Sequence, residues 1–162
     1  GGSDIIDLSS NIFTYGSVTI NGSDGDDVVW SNDGNDTINA GSGDDNLNGG
    51  RGDDIIYGDN GDDYLLGYDG DDTLIGGLGQ DILTGGSGSD IFEFTGIQDS
   101  VKGKADIIKD FESGIDLISI AGLNFSDFSI SNDNNVTIIE NDQFSVELDG
   151  VFNLTEDDFL IA

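Results

Sequence analysis

Eight aspartates recur at nine-residue intervals: Asp27, Asp36, Asp45, Asp54, Asp63, Asp72, Asp81 and Asp90. Two residues before each stands a glycine: Gly25, Gly34, Gly43, Gly52, Gly61, Gly70, Gly79 and Gly88. Aspartate offers a short, hard, anionic ligand, and glycine tolerates the positive φ that lets a tight turn aim its carbonyl oxygens inward. Repeated together they suit a hard divalent cation. Calcium, which takes roughly six to eight oxygens, fits carbonyl-rich turns better than octahedral magnesium does.

Histidine, cysteine and methionine are absent. Their absence removes imidazole and thiolate metal sites, disulfides and every nucleophile–histidine pair, leaving oxygen as the ligand chemistry. Carboxylate pairs of the glycosidase kind are present in number, yet nothing singles one out while the repeat accounts for most of the acids. The chain therefore reads as a binding module and not an enzyme.

The elements that hold these residues are nine residues long and run without a gap from Gly22 to Glu93. Glycine is fourth and aspartate sixth in each, and the eighth place is always large and apolar: Val29, Ile38, Leu47, Ile56, Leu65, Leu74, Leu83 and Phe92. Such strict register separates the repeat from a flexible acidic linker. An EF-hand is excluded because "DGDDTLIGGLGQ" lacks the glutamate that ends that loop and has no flanking amphipathic helices.

The nonads resemble the GGxGxDxUx repeat of RTX proteins. The downstream text "ADIIKDFESGIDLISIAG" and the end "VFNLTEDDFLIA" are similar to the carboxy-terminal regions of secreted RTX proteins, among them serralysin-type proteases, bacterial lipases and the R-modules of alginate epimerases. The resemblance implies an all-β fold, a parallel β-roll in which six residues form a calcium-binding turn and three form a strand, with an antiparallel β cap. Serralysin-like proteolysis is excluded, since no histidine is available for zinc. The chain departs from the pattern at the second place, with Ser23, Asn32, Asp59 and Tyr68, and at the first, with Ser31 and Ala40.

In a roll of this kind two nonads make one coil, and aspartates on one edge stack about 4.8 Å apart. At an effective dielectric near 20, each unscreened pair costs on the order of 3 kcal/mol, so cations must neutralise the stack. Composition agrees: 162 residues carry a formal charge of -30 with a hydrophobic content of 35%, a balance that ordinarily favours disorder. Such a surface repels nucleic acid and anionic membranes. No apolar run is long enough to span a membrane, and no charged-then-apolar stretch of the signal-peptide kind opens the sequence. The opening "GGS" without methionine reads as a fragment that follows a preceding domain of a larger, exported parent, and a monomer is expected.

Three regions are expected: an amino-terminal cap over 1–21, the nonads over 22–93, and a carboxy-terminal cap over 94–162. "FTYGSVTIN" keeps the nonad register, with Gly16 fourth and Ile20 eighth, but Val18 replaces the aspartate, so a coil without a full metal site is expected. For residues 1–12, strand and helix both stay open. "DIIKDF", "DLISI", "NVTIIE" and "FSVELDG" are expected to be antiparallel strands. Outward apolar residues, Trp30, Tyr64, Leu66 and Ile82 on one side and Ile55, Tyr57, Ile75 and Ile91 on the other, either lie under a cap or preceding domain or offer a binding face. Counting nine beyond Asp90 reaches Asp99, which with Asp106 is expected to hold a further cation against the Gly76–Asp81 turn, for about seven calcium ions in all.

The expected function is a calcium-binding module that folds on meeting extracellular calcium and supports secretion of its parent. "LTEDDFLIA" resembles a type I secretion signal and reads equally as the last strand or helix of the cap. The alternative is a calcium-dependent polysaccharide-binding module of the R-module kind, although only Arg51, Lys102, Lys104 and Lys109 could meet an anionic sugar.

Overall fold

Two residues after each sixth-place aspartate stands a large apolar side chain, and a strand starts between them. A computed structural model describes residues 1–9 and 16–160. In chain order the strands are β1 (Ile5–Asp7), β2 (Thr19–Asp24), β3 (Val28–Trp30), β4 (Thr37–Ser42), β5 (Asn46–Arg51), β6 (Ile55–Asn60), β7 (Tyr64–Asp69) and β8 (Thr73–Leu78). They continue with β9 (Ile82–Ser87), β10 (Ile91–Phe94), β11 (Asp106–Ile108), β12 (Leu117–Ile120), β13 (Ser129–Asp133), β14 (Val136–Glu140), β15 (Ser145–Asp149) and β16 (Phe159–Leu160).

Alternate strands enter alternate sheets. One sheet has the order β1-β3-β5-β7-β9-β11-β15-β14-β13 and the other β16-β12-β10-β8-β6-β4-β2. Within the repeat, neighbours are parallel and offset by two nonads, as in Leu47↔Leu65 and Ile56↔Leu74. The fold is thus a parallel β-roll with a mixed, partly antiparallel end. The eighth-place side chains fill the space between the sheets, and all of them from Val29 to Phe92 are fully buried. Burying each is worth roughly 1.5–3 kcal/mol. Aromatics take over at the carboxy-terminal end, where Phe94 meets Phe144 edge-on at 5.3 Å and Phe111 meets Phe152 at 5.7 Å.

Three expectations are corrected. Most repeat strands span six residues instead of three, because pairing continues into the first three places of the next nonad. "DIIKDF" and "DLISI" supply parallel strands that prolong the roll: β11 lies beside β9 with Ile107↔Ile82, and β12 beside β10 with Ile118↔Phe92. Among the strands, antiparallel pairing is confined to β13, β14 and β15; outside them Val101 makes isolated antiparallel bridges with Lys104 and Phe144. Both prolonging segments carry the Asp-x-apolar triplet of the repeat, Asp106-Ile107-Ile108 and Asp116-Leu117-Ile118, which places the apolar side chain inward.

At the other end, β1 pairs in parallel with β3, Ile6↔Val29, so a strand and not a helix covers this edge. Of "FTYGSVTIN", residues 13–15 lie outside the described part. Ile20 is buried and Val18 packs on the core. The cap's strands join the ends of the two sheets, and on the outer faces Trp30, Ile55 and Tyr64 stay 39%, 39% and 42% exposed, while Ile75 is buried.

Candidate metal centre

The sixth-place aspartates are almost wholly buried, with none of the eight above 3% exposure. Their first carboxylate oxygen is used within the fold. The backbone N–H of Asp45 donates to Asp63 Oδ1 at 2.8 Å, that of Asp54 to Asp72 Oδ1 at 2.8 Å, and that of Asp63 to Asp81 Oδ1 at 2.9 Å. The same bond joins Asp27 to Asp45, Asp36 to Asp54, and Asp72 to Asp90. Each aspartate therefore fastens its turn to the turn one coil before it.

The second oxygen has no such use in six of the eight. Oδ2 of Asp27, Asp45, Asp54, Asp63, Asp72 and Asp81 is buried and accepts no hydrogen bond. A buried acceptor left unpaired costs about 1–3 kcal/mol, and more when it is ionised. Except at Asp45, whose nonad opens with Ala40, a first-place glycine borders the unpaired Oδ2: a Cβ on Gly58 or Gly67 would collide with Oδ2 of Asp63 or Asp72 and with the carbonyl oxygen of Gly76 or Gly85 one coil on. A carboxylate oxygen and a carbonyl oxygen thus converge on one small volume. Among the described residues no three acidic side chains converge, so backbone carbonyls must complete any oxygen shell. Hard oxygens of this kind fit calcium.

The fourth-place glycines Gly25, Gly34, Gly43, Gly52, Gly61, Gly70, Gly79 and Gly88 all have positive φ, from 120° to 153°. They also pack against each other's backbone from coil to coil, so that a Cβ on Gly61 would strike the Gly43 carbonyl. The departures at the second place are strained: Ser23, Asp59 and Tyr68 hold φ of 90°, 71° and 92°.

Electrostatics matches this geometry. Burial, together with neighbouring carboxylates and against the opposing ladder N–H, pushes Asp54, Asp63 and Asp72 up to about 7. Asp81 and Asp90 rise to about 6 for the same first reason. Burial likewise raises Asp45.

The cap continues both ladders, one through the expected Asp106 and the other through Asp116, while the expected Asp99 stays outside them. Asp106, fully buried, accepts the Asp81 N–H through Oδ1 at 2.9 Å, and its Oδ2 is unpaired; burial and then the Asp81 and Asp99 charges push it up to about 8. Asp99 does not occupy that register place. Its Oδ2 accepts the Thr95 N–H at 2.6 Å, the Thr95 hydroxyl at 2.8 Å and the Gly96 N–H at 3.1 Å, closing a local turn, although its charge still bears on Asp81 and Asp106. An insertion before Asp106 breaks the count of nine.

Four features escape the nonad count. Asp116 prolongs the other edge by accepting the Asp90 N–H at 3.0 Å, and its Oδ2 accepts the Glu112 N–H. Asp110 caps the end of β9, its two oxygens accepting the N–H groups of Gly85 at 2.9 Å and Gly86 at 2.8 Å. Asp4 donates its N–H to Asp27 Oδ1 at 2.7 Å, as Val18 does to Asp36 Oδ1 at 2.8 Å. Finally, fifth-place residues form an exposed outer ladder of opposite sense: Asp44 N–H donates to Asp26 Oδ1, Asp62 to Asp44, and Gln80 to Asp62. The Gln80 amide then ties this ladder to the cap through the Ala105 carbonyl at 3.0 Å.

A roll of nonads whose turns converge carboxylate and carbonyl oxygens defines a class, and comparison with known proteins agrees. The family model of the RTX calcium-binding nonapeptide repeat matches over residues 14–47, 30–65, 39–74 and 57–92. The AlgE6R3 subunit of the mannuronan C5-epimerase of Azotobacter vinelandii is 34% identical, with a TM-score of 0.61 over 72% of this chain and 77% of that one. Two other structures share the fold: the AlgE6R2 subunit of the same epimerase, at 24% identity and TM-score 0.52 over 95% of this chain and 96% of that one, and the extracellular lipase LipA of Serratia marcescens. The lipase is 17% identical with a TM-score of 0.54, over 99% of this chain and 38% of the lipase. No curated protein sequence matches. The chain belongs to the RTX calcium-binding nonapeptide-repeat family and is a calcium-binding module.

Proposed function

We propose that calcium is held in the gaps between stacked turns by Oδ2 of the sixth-place aspartates and by turn carbonyls, and that this binding folds the module outside the cell. The observation that carries the reading is the set of buried, unpaired Oδ2 atoms of Asp27, Asp45, Asp54, Asp63, Asp72 and Asp81. Eight turns in two edges leave about six gaps, and the pair Asp81–Asp106 adds one, for about seven ions. Asp99 contributes charge there. The glycines Gly25 to Gly88 shape the turns.

Without cations the like charges oppose stacking, and extracellular modules of this metal bind at about 10⁻⁴–10⁻³ M, far above cytosolic calcium. The chain then leaves the cell unfolded and folds outside, stabilising a larger exported protein. Circular dichroism in excess chelator should show disorder, and millimolar calcium should bring β structure by mass action. A chain already fully folded in chelator would contradict the proposal.

The end "LTEDDFLIA" serves as an export signal on this reading. Within it Phe159 is buried against Phe125, so the same residues also close the cap, while residues 161–162 lie outside the described part. Fusing residues 95–162 to a reporter tests export through a type I machinery; retention in the cell would remove the signal.

A second reading rests on the likeness to a mannuronan C5-epimerase subunit: a calcium-dependent polysaccharide-binding module. Three of the four cations are engaged, Arg51 with Asp69, Lys102 with Glu140 and Lys109 with Asp149, which weakens recognition of an anionic sugar. Saturable calorimetric binding of alginate or a neutral polysaccharide in millimolar calcium would favour it. No long apolar helix able to cross a membrane is present among the described residues.

A further inference from the structure

At the second place of the nonads, Ser23, Gly41, Gly50, Asp59, Tyr68, Gly77 and Gly86 all adopt φ between 71° and 114°. Asn32 alone does not take a positive φ. The first place of the same nonad is a serine, and Ser31 Oγ donates to Asp36 Oδ2. The Asn32 N–H lies 3.5 Å from that same oxygen. Strand β3 also stops at Trp30, without the three-residue extension that β4 to β9 have.

These departures act on one atom. Asp36 is as buried as the other sixth-place aspartates, at 1% exposure, yet its Oδ2 is hydrogen-bonded where Oδ2 of Asp27, Asp45, Asp54, Asp63, Asp72 and Asp81 is not. The serine side chain fills the volume that glycine leaves open at Gly49, Gly58, Gly67, Gly76 and Gly85, where any Cβ would collide with the turn's own aspartate. The oxygen thus meets two hydrogen-bond donors in place of an open, oxygen-lined volume. Cations need converging acceptors, and donors aimed at the shared oxygen compete with them. Asn32 does not restore the shell: its amide is buried at 6% exposure, with both ends unpaired, so a donor accompanies its one oxygen.

We propose that the gap between the Asp36 and Asp54 turns holds no ion, the Ser31 hydroxyl satisfying Asp36 there as calcium satisfies the aspartates of other turns. The proposal rests on the calcium reading of those turns. It makes the closure of this one gap independent of calcium, and it lowers the ion count by one.

Two measurements test it. Crystals of the whole chain grown in calcium should give anomalous peaks beside the Asp54, Asp63 and Asp72 carboxylates on the sides facing Gly49, Gly58 and Gly67, with none beside Asp36 Oδ2. Equilibrium dialysis with metal analysis should find one more ion per chain in Ser31→Gly/Asn32→Gly than in the unaltered protein. A peak bridging Asp36 Oδ2 to Ser31 Oγ or Asn32 Oδ1, or a double variant that binds the same number of ions or fewer, would overturn the proposal. The first measurement needs no variant, so a misfolded double variant leaves it decisive. Absence of peaks at every turn would overturn the calcium reading itself and this proposal with it.

Discussion

The backbone N–H of Asp45 donates to Asp63 Oδ1 at 2.8 Å, while Asp63 Oδ2 accepts nothing. One carboxylate thus joins two coils and leaves an anionic oxygen facing the gap. Asparagine separates these duties, because its amide oxygen can take the ladder bond without the charge. In chelator, Asp63→Asn should be more structured than the unaltered chain; in saturating calcium it should bind fewer ions. Asp63→Ala loses both roles, and its calcium-loaded form should be less stable than Asp63→Asn by about 1–3 kcal/mol in denaturant melts. Equal behaviour of the two variants would refute the division of labour.

The raised carboxylates fix the sign of the pH dependence. Asp54, Asp63 and Asp72 rise from an ordinary value near 3.8 to about 7, and Asp106 to about 8. Between those limits the calcium-free fold binds more protons than the unfolded chain does, so its stability is fully present below pH about 4 and is lost as pH rises toward about 8. In chelator, β structure should grow as pH is lowered from 8 to 5. Calcium affinity should move the opposite way, weakening over the same acid shift as protons compete for Oδ2. A chelated chain whose circular dichroism is flat across this range would contradict the first statement, and calcium titrations whose midpoint does not rise toward pH 5 would contradict the second.

The repeat was legible because nine is a covalent count: Gly61, Asp63 and Leu65 announce turn, ligand and core in any nonad. Counting failed where residues are inserted. Asp81 and Asp106 are 25 apart and Asp90 and Asp116 are 26 apart, yet both pairs make the ladder bond that residues 18 apart make within the repeat. The surviving signal was the Asp-x-apolar triplet, also present as Asp4-Ile5-Ile6 at the start. Fifth-place residues went unread, since Asp26, Asp44 and Asp62 look like solvated charge until the backbone shows which N–H each one accepts. "DIIKDF" reads in sequence as an antiparallel strand and yet pairs in parallel, because alternation reports a buried face and not a neighbour's direction.

Glycine matters for different reasons at different places. Alanine at Gly67 would drive Cβ into Asp72 Oδ2 and the Gly85 carbonyl, so Gly67→Ala should lose at least one ion and shift the calcium midpoint of folding upward. Gly103 has φ of 95° with nothing within reach of a Cβ. Gly103→Ala should therefore cost only the backbone penalty, about 1–2 kcal/mol, with the ion count unchanged. Metal analysis and calcium titration of the two variants give the comparison, and ion loss in both would remove the spatial argument.

Tyr68 holds φ of 92° at a second place where Gly50 and Gly86, one coil away on either side, hold 97° and 110°. Its ring is about half exposed, so little packing is lost on its removal. Tyr68→Gly should stabilise the calcium-loaded protein by about 0.5–1 kcal/mol, relief of strain outweighing the added freedom of the unfolded chain. A lower melting temperature in saturating calcium would show that the ring contributes more than its backbone costs.

The junction between roll and cap turns on Asp106. Its Oδ1 takes the Asp81 N–H, its Oδ2 is buried and unpaired, and it opens β11, so a cation at this carboxylate would fasten the first cap strand to the Gly76–Asp81 turn. Asp99 closes the Thr95–Asp99 turn by three hydrogen bonds and acts on the pair mainly by charge. Asp106→Asn, which preserves the ladder acceptor, should lose one ion and speed amide exchange in β11 and β15, while Asp45 through Asp72 keep their protection. Asp99→Asn should retain that ion with weaker affinity, because two of its three donors are backbone N–H groups that an amide oxygen can still accept. If Asp99→Asn loses the ion and Asp106→Asn keeps it, the assignment is reversed and the count of nine was the better guide.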